Sequence, residues 1–117
     1  MGKLTTHVLD TAQGKPGAGI VLTVFAVEGE RRRQVAAATT NADGRTAAPL
    51  LEGEALRAGV YEIVFALADH FARGAMTLPS PPFVGDVVLR FGVADANAHY
   101  HVPLLVSPWS YTTYRGS

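Results

Sequence analysis

The sequence predicts an all-β protein, an antiparallel β-sandwich of seven or eight short strands with one short helix. Three observations carry that prediction. Apolar residues recur with a period of two along most of the chain, the repeat that sends alternate side chains to opposite faces of a strand. Clusters of Gly, Pro, Asn and Asp interrupt the period at close spacing, as short strands joined by turns require. Residues 68–74 lose the period while keeping good helix formers. Short strands with one apolar face bury those faces by stacking two sheets.

The elements follow in order. Leu4, Thr6 and Val8 point one way and Thr5, His7 and Leu9 the other. Leu4 and Val8 are core candidates, so His7 faces away from the core. Residues 10–19 form a loop in which Gly14, Pro16 and Gly17 break any ladder. Residues 20–27 are apolar on both faces, which predicts a central strand covered on both sides. A polar turn over 29–33 leads to a weaker, Ala-rich strand over 35–40. Asn41-Ala42-Asp43-Gly44 is a strong turn signal, because Asn, Asp and Gly tolerate left-handed backbone angles. Arg45 follows at the mouth of the expected hairpin. Residues 49–58 connect to a strand over 60–67, where Tyr61, Ile63, Phe65 and Leu67 share the face opposite Glu62. The helix over 68–74 stops at Gly74, and Pro79, Pro81 and Pro82 forbid regular structure in the next loop. Val87, Leu89, Phe91 and Val93 then alternate with Val88, Arg90 and Gly92. Near the C-terminus, Tyr100, Val102, Leu104 and Val106 form one face, with His99, His101, Pro103 and Leu105 on the other. Ser107-Pro108-Trp109 turns the chain into a last short strand over 110–114.

A chain of 117 residues is one domain, 1–117, large enough for a core without staples. The absence of Cys excludes disulfides and thiolate metal sites. Ten basic and ten acidic side chains give a formal net charge of zero, which argues against a nucleic-acid partner. The Arg31-Arg32-Arg33 run reads as a solvated hairpin tip. No apolar run approaches the roughly 20 residues needed to span a bilayer, so no membrane partner is expected. The opening MGKLTTHVLD lacks a basic-then-apolar leader, which makes the cytoplasm the expected location. A hydrophobic content of 48% leaves apolar surface to bury between subunits.

Four histidines occur, His7, His70, His99 and His101. His70 lies on the predicted helix and reads as exposed. His99 and His101 share one strand face, which invites a metal. A metal needs a third or fourth ligand, and the nearest candidates, Asp95 and His7, lack ligand spacing, so no metal or other cofactor is expected. Taken singly, His7 and Arg45 are ordinary surface residues. Taken as a set, His7, Arg45, His101, Tyr114 and Ser117 suit anion recognition and proton transfer. Histidine moves protons near neutral pH. Arginine offers a planar fork to a carboxylate-like or imide-like anion. Tyr and Ser hydroxyls and the terminal carboxylate can orient water. There is no Gly-x-Ser-x-Gly elbow, no phosphate-binding Gly-rich loop and no Cys nucleophile. Activated water fits what is present better than a covalent intermediate.

Three stretches carry a resemblance. LTTHVLDTAQGKPGAGI, TNADGRT and HYHVPLLVSPWSYTTYRGS resemble the opening, middle and closing motifs of the transthyretin-like family, in its 5-hydroxyisourate hydrolase branch. The resemblance runs nearly end to end. Its most specific part is the terminal Tyr114-Arg115-Gly116-Ser117, which separates this branch from the hormone-carrying transthyretins. Trp109, where other aromatics are usual, and the loop 79–85 are mild departures. The resemblance implies a transthyretin-like sandwich assembled as a homotetramer, with 5-hydroxyisourate as the small-molecule substrate. It places the substrate contacts on His7, Arg45 and Tyr114 and the catalytic set on His7, Arg45, His101 and Ser117. His99 takes a supporting or structural role. The rival expectations are a carrier that binds small ligands in a central channel without catalysis, and a structural domain with no site.

Overall fold

Alternation of apolar and polar side chains builds two stacked sheets in the computed structural model, which describes residues 1–74 and 76–117. In chain order the strands are β1 (Lys3–Asp10), β2 (Lys15–Pro16), β3 (Val21–Glu28), β4 (Arg31–Thr39) and β5 (Leu51–Glu52). A 3₁₀ turn at Gly53–Ala55 precedes β6 (Gly59–Phe65), helix α1 (Leu67–Ala72), β7 (Val87–Val93), β8 (His99–Val106) and β9 (Tyr111–Thr113). One sheet has the order β2-β1-β8-β9, with β5 also on β1, and the other the order β4-β3-β6-β7.

The core lies between the sheets. Leu4, Val8, Leu104 and Val106 from the first sheet face Leu22, Val24, Ile63 and Phe65 from the second, all buried. Burying each such side chain stabilises the fold by roughly 1.5–3 kcal/mol. Helix α1 has six residues and no side-chain cap at its start. A helix this short holds through packing and not through propensity, and Leu67 and Phe71, one turn apart, bury its inner face. No helix is long and apolar enough to cross a membrane among the described residues.

The sandwich agrees with the sequence reading, and several details differ. Every ladder is antiparallel except β1 with β8, which pair in parallel. The loop at 10–19 contains the two-residue β2. The expected turn at 29–33 shrinks to Gly29 and Glu30, where Gly29 takes φ 64°. Arg31, Arg32 and Arg33 therefore open β4 directly after the hairpin tip, and all three are exposed, as the solvated reading expects. Arg32 lies over the Phe25 ring at 4.1 Å and reaches Glu62 at 3.1 Å, while Arg33 reaches Glu28 at 3.0 Å. Two of the three arginines thus pair with acidic residues across the sheet surface. β3 packs one face on the core, but Val21 on its other face is 52% exposed, so a single chain covers one side only. His70 is half-buried and not exposed. It bonds through Nε2 to Asp10 Oδ2 at 2.9 Å, tying α1 to the end of β1.

Candidate active site

The site grows from the parallel pairing of β1 and β8. The core-facing set is Leu4, Thr6 and Val8 on β1 and Tyr100, Val102 and Leu104 on β8, all buried; on β8 His101 and Pro103 of the other set are buried as well. The complementary set, Thr5, His7, His99 and His101, therefore shares the sheet's outward face. Register places Thr5 opposite His101 and His7 opposite Pro103. Thr6 locks that register from the core side by donating to Val102 O at 2.6 Å.

Two further segments close around this face. On the free edge of β1, β5 pairs at Lys3 and Leu4 and β2 at Leu9 and Asp10. The turn at 41–44 fills the edge between them. Asn41 Oδ1 accepts the N–H groups of Asp43 and Arg45 at 2.9 and 3.2 Å, and Val8 N–H donates to Gly44 O at 2.8 Å. Gly44 is required here: its φ is +72°, and a Cβ would strike the Val8 carbonyl oxygen. Arg45 consequently bridges His7 across a β-bridge and does not open a hairpin as expected.

On the β8 side, the chain returns after β9. Gly116 N–H donates to His101 O at 2.7 Å. A Cβ on Gly116 would lie 2.7 Å from His101 Cδ2, so glycine lets the tail lie flat on the imidazole. Arg115 anchors the tail with its guanidinium 4.2 Å above the ring of the buried Tyr100.

The result is a cavity of about 590 Å³ whose lining includes Thr5, His7, Arg45, His99, His101, Tyr114 and Ser117. The segment 46–49 forms another wall. His7 Nδ1 and His101 Nε2 are 2.7 Å apart in a hydrogen bond, and Thr5 Oγ1 stands 2.8 Å from both His101 Nδ1 and His99 Nε2. His101 is only 8% exposed, whereas Arg45, Tyr114 and Ser117 are exposed at the rim. Burial, and then the Arg45 guanidinium, lowers the pKa of His7 below the ordinary imidazole value. Burial lowers that of His101 as well, followed by His7, Arg45 and His99. Both rings are therefore held neutral near pH 7, the state in which imidazole can accept a proton. Among the described residues, no group of three or more His, Asp or Glu side chains is arranged to hold a metal ion.

The five site residues expected from sequence, His7, Arg45, His101, Tyr114 and Ser117, all border this one cavity, and His99 joins them. Thr5 and the wall at 46–49 were not anticipated. The signal for Thr5 was its position two residues before His7 on the same strand face.

The fold and cavity together define a transthyretin-type sandwich whose outward sheet face carries a polar, histidine-bearing pocket. The chain belongs to the HIUase/Transthyretin family, matched over residues 4–116. It is 60% identical over 117 residues to the 5-hydroxyisourate hydrolase of Ralstonia nicotianae, covering 100% of both chains. Among solved structures, (S)-allantoin synthase superposes with a TM-score of 0.93 at 41% identity, covering 99% of this chain and 44% of that one. Transthyretin from Sparus aurata superposes with a TM-score of 0.86 at 28% identity, covering 97% and 96%.

Proposed function

We propose that this chain, as a single domain of residues 1–117, hydrolyses 5-hydroxyisourate in urate degradation. The reaction opens the six-membered ring to give 2-oxo-4-hydroxy-4-carboxy-5-ureidoimidazoline. One observation carries the reading: a neutral, hydrogen-bonded His7–His101 pair shares its cavity with Arg45 and the C-terminal tail. The 60% identity to a curated hydrolase supports it over the full chain.

The chemistry follows from the side chains. The imidazole pair takes a proton from water as its oxygen attacks a ring carbonyl. Arg45 stabilises the charge that develops on the carbonyl oxygen. The ring C–N bond then breaks, and the departing nitrogen receives a proton. Tyr114 positions the substrate, and Ser117 orients a histidine or the water. A homotetramer in the cytoplasm belongs to the same reading. Trp109, Tyr111 and Tyr114, on and beside the edge strand β9, are 54%, 49% and 58% exposed and offer apolar surface for assembly. A carrier fits less well, since imidazoles and a guanidinium line the cavity.

The test follows the ultraviolet absorbance of freshly generated 5-hydroxyisourate. The intact chain is expected to speed its decay, and removal of residues 114–117 to cut that rate by about 10²-fold or more. Binding without acceleration by the intact chain would make the protein a carrier and overturn the reading.

A further inference from the structure

We propose that Thr5 and His99 complete a proton relay, His7–His101–Thr5–His99, that lets His7 Nε2 serve as base and then as acid within one turnover. The inference rests on the hydrolase reading and deepens it.

Hydrogen-bond arithmetic leads to it. Three contacts stand in series: His7 Nδ1 to His101 Nε2 at 2.7 Å, His101 Nδ1 to Thr5 Oγ1 at 2.8 Å, and Thr5 Oγ1 to His99 Nε2 at 2.8 Å. A neutral imidazole has one N–H and one lone pair, and a hydroxyl has one hydrogen. With every ring neutral, three placements of protons satisfy all three contacts: in one the Thr5 oxygen accepts from both His101 and His99, and in the other two the bonds run head to tail, as a relay needs. In the first of these two, His7 Nδ1–H donates to His101 Nε2, His101 Nδ1–H donates to Thr5 Oγ1, and the Thr5 hydroxyl donates to His99 Nε2. That leaves a bare lone pair on His7 Nε2 and a proton on His99 Nδ1. In the second, every bond is reversed: His7 carries its proton on Nε2, and His99 Nδ1 is bare. His7 Nε2 and His99 Nδ1 have no hydrogen-bond partner among the described residues, and both residues line the cavity.

Moving between the two states transfers one proton across each contact. When His7 Nε2 takes a proton from the attacking water, His7 Nδ1–H passes to His101 Nε2. His101 Nδ1–H passes to Thr5, the Thr5 hydrogen passes to His99 Nε2, and His99 Nδ1–H leaves to solvent. His7 Nε2–H then protonates the departing ring nitrogen, and the relay runs back as His99 takes up a solvent proton. One proton enters and one leaves in each direction, and no ring ends charged. The neutrality matters because burial first, and then His7, Arg45 and His99, oppose an imidazolium at His101. His99 is exposed, as a port to solvent must be, while His101 is buried.

The experiment measures kcat and KM for 5-hydroxyisourate with the intact chain, Thr5→Val, Thr5→Ser and His99→Ala, each with and without added imidazole. Thr5→Val keeps the shape and removes the hydroxyl. It is expected to lower kcat by about 10²-fold with KM nearly unchanged, and Thr5→Ser to restore it. His99→Ala is expected to lose kcat and to recover it as imidazole is added, while the intact chain ignores imidazole. A merely structural role would not produce that rescue. Near-normal kcat in Thr5→Val, or a His99→Ala loss that imidazole does not repair, overturns the relay and leaves the hydrolase reading standing. An intact chain that fails to accelerate ring opening overturns both.

Discussion

Replacing His101 with alanine is expected to lower kcat for ring opening by about 10³-fold, within the range for a positioned acid–base group. The residue is buried, but its ring lies on the outward face of β8 and not between the sheets. Its removal strips His7 Nδ1 and Thr5 Oγ1 of their partner. The core of Leu4, Val8, Leu104 and Val106 is untouched. Circular dichroism and thermal unfolding should therefore report a folded protein. Near-normal turnover in a folded His101→Ala variant would remove the residue from the mechanism.

Arg45→Ala is expected to cost about 10²-fold in kcat, since loss of one donor to a developing oxyanion costs on the order of 3 kcal/mol. A second signature separates it from the histidine variant. Arg45 helps to lower the pKa of both His7 and His101. Its removal should move the acid limb of the pH–rate profile to higher pH. A folded variant with unchanged kcat and an unchanged profile would exclude Arg45 from both roles.

Much of this arrangement could be read from the chain. The alternation Leu4, Thr6, Val8 against Thr5, His7, Leu9 put His7 on the outward face, and the same logic put His99 and His101 on one face of β8. What alternation cannot give is which strands become neighbours. The parallel β1–β8 ladder joins residues nearly a hundred positions apart and sets Thr5 between two imidazoles. Without that pairing Thr5 was one more strand threonine. Arg45 reached the cavity for a reason different from the one expected. The turn at 41–44 runs along the edge of β1, where Gly44 permits close backbone approach. From sequence His70 reads as solvent-facing because its partner, Asp10, lies sixty residues earlier, at a position where the sequence predicts a loop. The tail's side chains marked it as part of the chemical set, and the family resemblance made the assignment specific. Its physical reason, a glycine lying on the His101 ring, required coordinates.

The central claim is that a neutral imidazole pair, held below its ordinary pKa, activates the water. The sign of its pH dependence is fixed. Because the folded chain binds protons on His7 and His101 less readily than the unfolded chain, stability from these groups falls as pH drops below about 6.5 and is unaffected above it. Activity follows the folded pKa. The deciding measurement is kcat/KM for 5-hydroxyisourate as a function of pH. A plateau through neutrality, with an acid limb whose midpoint lies below about 6.5, is the predicted result. A rate that holds or climbs as the imidazoles protonate, or a midpoint above that value, would contradict it.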